Sequence, residues 1–543
     1  MTTTTGNKRV VIVTGGGAGI GGAIAEELAR RGDHVVTVDP LVAVDGTNAP
    51  ADQTPTTAER ILEAGGSAES SNTSVTDAHA MSVLVEDLLT RHGRLDAVVN
   101  AAGISRPTGF AKGDEPDWSA VIEVHLQGYI NVLAAVMPHF AEVGAGHVVG
   151  VTSGSGWRTA DAGAYGCAKR AVAALTWKLG RHAPHGVHVN AISPIAMTRM
   201  VTSALKRTSA APKDGARVSG GLALGALPPP EQLGPLGAAM AGHTTTPHGR
   251  ILFAGGSEIA VLREPQLMEI IRTSDVQSVD SVVSSYLATL IAAEKQQTTT
   301  GGANPRFSEI FNSLSTLGEI PQNANVLVVS DQPQLAATLT DRITAHGSKV
   351  HFVSPKDVGP GFAGASSALR NAFDGSALDV VFVALSGSGG SDTDTDWHSI
   401  LNSHTELGSE ILADARWARA CADYSAEREA PLRLVNLVDA RNQRGTTRAQ
   451  TSAQLFRAAR GATSDRVSAF TIAIEDPINI DATVALALTC AFNADAVELS
   501  GAELAIGHGW LGLRSHPSPT GSLVFGGPDM PLWFGDVLEE MCQ

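Results

Sequence analysis

Short runs of β-branched and aliphatic residues, each followed by a stretch long enough to form a helix, constrain the fold of this chain most. Five such runs lie in the first half of the sequence, and five more recur in the same order in the second half. They lack strict polar alternation, so each is predicted to be a strand buried on both faces of a parallel sheet. The pattern predicts an α/β chain with two tandem, doubly wound Rossmann-type domains. The runs are Arg9–Thr14, His34–Asp39, Leu95–Asn100, His147–Thr152 and Val187–Ser193, then Asn325–Ser330, Lys349–Ser354, Leu378–Leu385, Leu432–Val438 and Val467–Ile474.

The second half repeats the first over a length that suits a duplicated domain rather than a short repeat unit. When the halves are overlaid, Leu95-Asp96 aligns with Leu378-Asp379, and His125 aligns with His404. A Thr- and Gly-rich stretch between the halves indicates a linker. The predicted boundaries are 1–262 for a catalytic domain, 263–322 for a linker with one helix, 323–515 for a degenerate second domain, and 516–543 for a C-terminal tail.

A glycine-rich turn follows the first predicted strand and opens a predicted helix. It reads Thr14-Gly15-Gly16-Gly17-Ala18-Gly19-Ile20-Gly21. Glycine lets the backbone approach a pyrophosphate closely, and the helix N-terminus offers unpaired N–H groups and the positive end of a dipole. With a strand before it and a helix after it, the turn predicts dinucleotide binding more specifically than glycines alone would.

An acidic residue, Asp39, ends the second predicted strand. A carboxylate there can accept hydrogen bonds from the ribose hydroxyls of an adenosine, whereas a 2′-phosphate would meet a like charge. The sequence therefore favours NAD over NADP. A solvated turn residue before Pro40 is the alternative interpretation of this aspartate.

The clearest chemistry is carried by a group of three residues that begins directly after the run His147–Thr152. Ser153 lies at the end of that predicted strand, and Tyr165 and Lys169 lie one turn apart on the next helix, so both face the same side. A phenol can serve as proton donor and acceptor in hydride transfer if a neighbouring cation lowers its pKa. A serine hydroxyl can hold the substrate oxygen. The group predicts oxidoreduction of an alcohol or ketone.

The glycine turn, Asn100-Ala101-Ala102-Gly103, Ser153 and Tyr165-x-x-x-Lys169 together resemble the short-chain dehydrogenase/reductase family over about residues 8–262. The resemblance implies that Tyr165 is the general acid/base, that Lys169 binds the nicotinamide ribose, and that Ser153 positions the substrate oxygen. His125 stands where the family has an asparagine of its proton relay, so a relay and a packing role both remain open for it. The cofactor-binding residues are then predicted to be Thr14, Gly15, Gly19, Ile20, Gly21, Asp39, Asn100, Ala101, Gly103, Tyr165, Lys169, Pro194 and Thr198.

Longer segments of the first half are similar to (3R)-hydroxyacyl-CoA dehydrogenase domains of multifunctional enzymes. These segments are 40–55, 191–200 and 249–256. The similarity nominates a 3-hydroxyacyl thioester or a steroid-like alcohol as substrate. Residues 201–248 stand where the family carries its substrate lid.

The second half is predicted to be non-catalytic because the overlay replaces every residue that carries chemistry. Ser153 aligns with Ala440, Tyr165 with Ser452, Lys169 with Phe456, Asp39 with Ser354 and Asn100 with Val383. Family members usually associate through helices, and a tethered copy could occupy that surface at high effective concentration. We therefore expect an internal pseudo-dimer, to which a further homodimer of whole chains could be added.

The composition narrows the remaining classes. A net charge of -16 without clusters of Lys and Arg argues against nucleic-acid or anionic-membrane partners. The four cysteines have no metal-ligand spacing, so no metal site is predicted and a cytoplasmic location is expected. Two functions stay open at this point: an NAD-dependent enzyme acting on a small hydroxy or keto substrate, and a non-catalytic dinucleotide sensor or scaffold.

Overall fold

The computed structural model of the chain forms two α/β lobes, each built around one twisted sheet. It describes residues 8–47, 55–203, 227–274, 278–299, 323–345, 347–373, 375–387, 396–476, 479–525, 530–531 and 533–542. The ten predicted strands are all present, with ends that differ from the prediction by one or two residues. In nine of them the Val, Ile and Leu side chains are buried between layers of helices. The expectation of burial on both faces is wrong for Lys349–Val353, which lies at the edge of its sheet and is mostly exposed.

The strands and helices of the described part of the first lobe follow one another in chain order. These are β1 (Val10–Thr14), α1 (Gly19–Arg30), β2 (His34–Val38), α2 (Thr57–Glu63), β3 (Ser67–Ser71), α3 (Ala78–His92), β4 (Ala97–Asn100), α4 (Glu115–Ile122), a π-helical turn (Glu123–Gln127), α5 (Gly128–Val143), β5 (Gly146–Val151), a 3-10 turn (Gly154–Gly156), α6 (Gly163–His182), β6 (Val187–Ile195), a 3-10 turn (Pro230–Leu233), α7 (Gly234–Met240), β7 (Ile251–Gly255) and β8 (Glu258–Arg263).

The rest of the chain contributes the remaining strands and helices. These are β9 (Leu267–Arg272), α8 (Val279–Thr299), β10 (Asn325–Ser330), α9 (Pro333–Ala345), β11 (Lys349–Val353), a 3-10 turn (Pro355–Asp357), α10 (Gly361–Asn371), β12 (Val380–Ala384), α11 (Trp397–Ser403), a 3-10 turn (His404–Glu406), α12 (Leu407–Arg428), β13 (Leu432–Asp439), α13 (Gln443–Phe456), α14 (Ala459–Ala462), β14 (Val467–Ile474), α15 (Ile480–Phe492), a 3-10 turn (Asp495–Leu499), β15 (Glu503–Gly507), β16 (Trp510–Arg514), β17 (Ser518–Val524) and α16 (Phe534–Cys542).

Each sheet is parallel except at one edge. The first sheet has the order β3-β2-β1-β4-β5-β6-β7-β8-β17, and the second has the order β11-β10-β12-β13-β14-β15-β16-β9. The crossover order around β1 and β10 is the doubly wound arrangement that the strand pattern predicts. The aligned Asp96 and Asp379 make the same hydrogen bond in both lobes, to the first backbone N–H of β1 and of β10, at 2.8 Å each.

The lobes exchange their last strands. β9 follows the first lobe in sequence but pairs with β16 of the second sheet, and β17 follows the second lobe but pairs with β8 of the first sheet. The helices that follow these strands are exchanged as well. α8 packs against the apolar core of the second lobe, and α16 packs against an apolar core of the first lobe. The described parts of the segments predicted as linker and tail are thus edge strands and helices of the opposite lobe.

The lobes also share one apolar core. A single cluster of buried side chains includes residues of α4, α5 and α6 from the first lobe and of α10, α12 and α13 from the second. At its centre the rings of Phe110 and Phe456 meet edge to face, with centroids 6.2 Å apart. A buried ion pair between Arg170 and Glu503 also crosses the interface at 2.7 Å.

One helical run, Glu115–Val143, has the length and composition to span a bilayer. Of its most apolar window, 67% is buried inside the protein. Burial of this kind is also typical of a core helix, and α5 lies in the shared core.

Candidate active site

The glycine turn packs against the end of β4 and leaves the start of α1 open. Gly15 has φ +64°, a left-handed conformation that favours glycine, and a Cβ added to it would lie 2.8 Å from the Ala101 carbonyl group. A Cβ on Gly21 would lie 2.3 Å from the carbonyl oxygen of Gly15. No side chain caps α1 and no acidic residue lies in its first turn, so this helix end suits an anion such as a pyrophosphate.

Asp39 lies at the rim of the glycine turn. One of its carboxylate oxygens accepts a hydrogen bond from the Gly17 N–H at 3.0 Å, and the other accepts from the Leu41 N–H at 2.8 Å. The side chain is half-buried. Its position beside the turn is the one at which a carboxylate can meet the ribose hydroxyls of a bound dinucleotide.

Asn100 ties β4 to β1 at the same end of the sheet. Its Oδ1 accepts a hydrogen bond from the Thr14 hydroxyl at 2.8 Å, and that hydroxyl in turn accepts from the Ala102 N–H at 3.3 Å. Among the described residues, the buried Nδ2 of Asn100 has no hydrogen-bond partner. This amide is therefore available to a bound molecule or to solvent.

Ser153, Tyr165 and Lys169 come together as the spacing predicts. Ser153 follows β5, and the other two residues lie on successive turns of α6. The Ser153 side chain lies close enough to the Tyr165 phenol to lower the pKa of that group. Lys169 Nζ lies 5.8 Å from the centroid of the Tyr165 ring and donates a 2.6 Å hydrogen bond to the Val151 carbonyl oxygen. The three side chains form one contiguous polar group at the carboxyl end of the sheet.

Burial dominates the protonation of this group. It raises the pKa of Tyr165, and the nearby Ser153 side chain only partly opposes this rise. Burial also lowers the pKa of Lys169 to about 7. The sequence argument expected Lys169 and a cationic nicotinamide ring to lower the pKa of the phenol. In the protein alone the direction is opposite, because the same low-dielectric surroundings that disfavour the phenolate also disfavour the ammonium.

His125 lies in the π-helical turn and packs edge to face on Tyr165, with ring centroids 5.0 Å apart. Its Nε2 is 2.8 Å from the carbonyl oxygen of Ile104 and 3.1 Å from the Ile104 nitrogen. Burial and the nearby Lys169 lower its pKa to about 3, so the imidazole is neutral near pH 7. Gly103 makes room for it, because a Cβ at Gly103 would lie 2.3 Å from His125 Cε1. Within the described structure, Nδ1 has no hydrogen-bond partner.

The remaining predicted cofactor-binding residues lie at the same carboxyl end of the sheet. Ile20, in the glycine turn, packs against an apolar core of the first lobe. Pro194 lies near the end of β6 and pairs with Ala254, and Thr198 follows, with its hydroxyl accepting a 3.2 Å hydrogen bond from the Val201 N–H. Residues 204–226 of the predicted lid lie outside the described residues. The part from 230 to 240 forms a 3-10 turn and α7, which packs against α1.

Comparisons with known proteins agree with this geometry. A family model described as short chain dehydrogenase matches residues 9–209. A protein of Mycobacterium tuberculosis named as a short-chain type dehydrogenase/reductase is 37% identical over 199 residues, which are 36% of this chain and 70% of that protein. The chain belongs to the short-chain dehydrogenase/reductase family. The short-chain reductase protein NovJ of Streptomyces niveus is 34% identical over 37% of this chain and 74% of its own length.

Two further similar proteins differ in the share of their own length that matches this chain. Peroxisomal multifunctional enzyme type 2 of Mus musculus is 33% identical over 36% of this chain but only 27% of that enzyme. The solved N-domain of a bacterial malonyl-CoA reductase, whose structure contains NADP, covers 89% of this chain and 95% of that one, with a TM-score of 0.64. At 16% identity this likeness concerns the fold, and it extends over both lobes.

In the second lobe the residues aligned with Tyr165 and Lys169 are engaged within the protein. Ser452, which aligns with Tyr165, accepts hydrogen bonds from Asn436 and Thr471 at 2.9 and 3.0 Å. Phe456, which aligns with Lys169, is buried in the shared core. His404 has both ring nitrogens engaged, with Ile400 and Thr447, as expected of a packing residue. A buried ion pair of Arg448 with Asp414 at 2.7 Å lies nearby.

One cluster of potential metal ligands occurs among the described residues, at His34, Glu69 and His92. Arg91 donates to both carboxylate oxygens of Glu69, at 2.9 and 3.1 Å, so this acid already has a cationic partner. The cluster lies beside the amino end of β2, away from the glycine turn.

Sequence reasoning missed the side chains of the second lobe that contact the first lobe's active site. Gln454 and Arg457, at and just beyond the end of α13, hydrogen-bond to the loop between Ser153 and Tyr165. No motif marks them. The only signal in the sequence is that a long amide aligns with the small Cys167 of the first half.

Proposed function

We propose that this family member is an NAD-dependent oxidoreductase that interconverts a secondary alcohol and a ketone, with its active site in the first lobe. The observation that carries the proposal is the joined group of Ser153, Tyr165 and Lys169 at the sheet end where the glycine turn also lies. A sensor of dinucleotides would need the turn but not a phenol with a serine and a lysine beside it. The group therefore favours catalysis over sensing.

The residues present fit a dinucleotide. The glycine turn and the open start of α1 suit the pyrophosphate, while Asn100 Nδ2 and His125 Nδ1 offer buried polar atoms without partners among the described residues. When bound, the nicotinamide accepts or delivers the hydride. The predicted binding residues from Thr14 to Thr198 would hold it, including Tyr165 and Lys169.

In this proposal Tyr165 Oη carries the proton. In oxidation it takes the proton from the substrate hydroxyl, and in reduction it returns a proton to the carbonyl oxygen. Ser153 Oγ donates to the substrate oxygen and stabilises the charge that develops on it. Lys169, when protonated, stabilises the phenolate.

We propose that His125 acts as a neutral positioning group rather than as an acid. Its pKa of about 3 and its bond to the Ile104 backbone support this. Replacing His125 by Asn should lower turnover only several-fold and leave the shape of the pH–rate profile unchanged. A shifted profile would instead support a proton relay through the imidazole.

The preference for NAD over NADP is part of the proposal. It is supported by the Asp39 carboxylate, whose hydrogen bonds with Gly17 and Leu41 hold it at the rim of the turn. A 2′-phosphate there would lie against a like charge. Comparing the Kd values of NADH and NADPH tests this preference, and equal or tighter NADPH binding would contradict it.

We propose a 3-hydroxyacyl-CoA-like or steroid-like substrate. The support is identity of 30 to 34% to proteins named as peroxisomal multifunctional enzymes or hydratase-dehydrogenase-epimerases, of which this chain spans at most 44%. The four buried, unpaired cysteines are compatible with a reducing compartment such as the cytoplasm, which is the location we propose.

We propose that the two lobes act as an internal pseudo-dimer, with the second as scaffold. The shared apolar core and the exchanged edge strands support this. A homodimer of whole chains stays a prediction, which light scattering in solution would test.

The experiment that tests the function is turnover on a substrate panel. NAD reduction would be followed by absorbance with (3R)- and (3S)-3-hydroxybutyryl-CoA, a hydroxysteroid and simple secondary alcohols. We expect turnover of at least one hydroxylated compound. NADH binding without turnover on any of them would favour the sensor.

A further inference from the structure

The loop that joins Ser153 to Tyr165 is held from outside by side chains of the second lobe. Gln454 Nε2 donates hydrogen bonds to the carbonyl oxygens of Ser155, at 3.0 Å, and Arg158, at 2.7 Å. Arg457 Nη1 donates to the carbonyl oxygen of Trp157 at 2.9 Å. Three carbonyl groups of one short segment are thus satisfied by two residues of the opposite lobe.

These contacts lead directly to Ser153. The Ser155 N–H donates to Ser153 Oγ at 3.2 Å, so Ser155 is held by Gln454 on its carbonyl side and holds Ser153 on its amide side. The Ser153 hydroxyl in turn meets the Tyr165 phenol. Hydrogen bonds therefore connect the second lobe to Ser153, whose side chain lowers the pKa of the Tyr165 phenol.

The two contacting side chains are themselves fixed. Gln454 is 3% exposed, and its Oε1 accepts a 3.1 Å hydrogen bond from Arg457. Arg457 also donates to Glu503 at 2.9 Å, and Glu503 accepts from Arg170 of the first lobe at 2.7 Å. Because buried charges are held in place by their partners, this network restrains where Gln454 can point.

The aligned residues of the first lobe do not hold a loop of the second lobe in the same way. On the sequence overlay Gln454 aligns with Cys167 and Arg457 with Arg170. The short thiol of Cys167 makes one weak contact, 3.6 Å from the Thr451 carbonyl oxygen, within the opposite helix α13. The lobe without catalytic residues reaches into the lobe that has them, and this asymmetry is not required for two lobes merely to pack together.

We propose that Gln454 and Arg457, together called the loop clamp, are positioning residues of the active site. They hold the loop so that Ser153 stays in contact with Tyr165. The second lobe thereby contributes to turnover without touching substrate or cofactor. The catalytic part of this inference rests on the proposed function.

The test compares Gln454→Met with Gln443→Met. Methionine is close to glutamine in size but donates no hydrogen bond, so the first variant leaves the Ser155 and Arg158 carbonyl groups without Gln454. Gln443 is a matched control, because it lies on the same helix and also crosses to the first lobe, where it accepts a 2.8 Å bond from Lys178 rather than contacting the loop. Gln454→Glu is a second variant, which loses the same donors but keeps an acceptor for Arg457.

Two measurements need no substrate. Hydrogen exchange of the loop amides of Gly156, Trp157 and Arg158 should become about tenfold faster in both Gln454 variants, which corresponds to the loss of two ordinary hydrogen bonds. The absorbance titration of Tyr165, taken as the difference from the matching Tyr165→Phe variant, should move to higher pH, because the Ser153 contact that lowers the phenol pKa is weakened.

A third measurement is turnover with the best substrate of the panel. We expect kcat to fall about tenfold in the Gln454 variants with an unchanged Kd for NADH, and no change in Gln443→Met. The inference would be overturned if both Gln454 variants kept the amide exchange rates and the Tyr165 titration of the wild type. It would also be overturned if Gln443→Met changed these quantities equally, or if kcat of the Gln454 variants were unchanged. If the wild type turns over no compound, the proposed function fails, while exchange and titration still decide whether the clamp positions Ser153.

Discussion

The two lobes share a strand order but differ in what lies at the carboxyl ends of their strands. In the first lobe a glycine turn, an open helix start and the Ser153, Tyr165 and Lys169 group surround that sheet end. In the second lobe, Arg448 and Asp414 form an ion pair there, each about 2% exposed. Asp331, in the turn that replaces the glycine turn, accepts a 2.7 Å hydrogen bond from the Ser386 N–H.

This difference separates what the fold requires from what the site requires. The buried strands, the Asp96 and Asp379 contacts and the edge strands recur in both lobes, so they belong to the fold. Glycine at the first turn and a phenol with a lysine on the following helix occur once, so they belong to the site.

The largest expected effect is that of Tyr165→Phe. Removing the hydroxyl should lower kcat by about 10²- to 10⁴-fold, because the proton then has no positioned carrier. NADH affinity should stay within about twofold, since the ring remains in place. The matched change in the second lobe, Ser452→Ala, should leave kcat unchanged. Steady-state kinetics on both variants checks the prediction, and retained turnover in Tyr165→Phe would contradict the mechanism.

In the second lobe the largest expected effect is on stability. Asp414→Asn leaves the buried Arg448 charge unpaired and should lower the free energy of unfolding by about 3 to 5 kcal/mol. The double variant Asp414→Leu/Arg448→Met should recover most of that loss, because both charges are then absent. Urea denaturation measures the difference. A single variant as stable as the wild type would show that this ion pair does not hold the lobe.

Lys169 should make the stability of the protein without cofactor depend on pH. Its pKa is about 7 when folded against 10.5 for the ordinary group, so the unfolded chain binds one more proton between these values and stability rises with pH there. Lys169→Met should therefore be more stable than the wild type near pH 7, on the order of 4 kcal/mol, and this gain should shrink towards pH 10. Thermal unfolding from pH 6 to pH 10 measures it, and a constant difference would refute the pKa.

The smallest of these effects concerns the cofactor. Asp39→Ser gives the first lobe the residue that the second lobe carries at the aligned position, Ser354. Without the carboxylate, the ratio of NADPH to NADH affinity should rise about tenfold, because a 2′-phosphate no longer meets a like charge. Fluorescence titration with both nucleotides measures the ratio. An unchanged ratio would remove the reason for preferring NAD.

The ten runs singled out in the sequence are all strands, but the buried strands β7, β8, β15 and β16 were not predicted. Runs such as Val10–Thr14 and Val467–Ile474 are apolar throughout because helices cover both faces of the sheet. The third strand, Ser67–Ser71, lies at the sheet edge and is polar, so no run marked it. The exchanged strands β9 and β17 were not predicted either, for a related reason. Their partners are far away in sequence, and local pattern carries no information about which lobe they join.

The site was predictable where its residues are close in sequence. Helical spacing brings Tyr165 and Lys169 to one face, and the end of β5 fixes Ser153. The raised pKa of Tyr165 was not predictable, because it depends on the surroundings of the phenol in the folded protein. The contacts of Gln454 and Arg457 were not predictable either, since they require the packing of two helices about three hundred residues apart in the chain.

The account depends most on the claim that one lobe binds a dinucleotide and the other does not. Isothermal titration of the full chain with NADH tests it directly, together with Gly21→Ala, whose added Cβ would clash with the Gly15 carbonyl oxygen. The account predicts one NADH per chain for the wild type and for Tyr165→Phe, and much weaker binding for Gly21→Ala. Two NADH per chain, or none, or full affinity in Gly21→Ala, would contradict it.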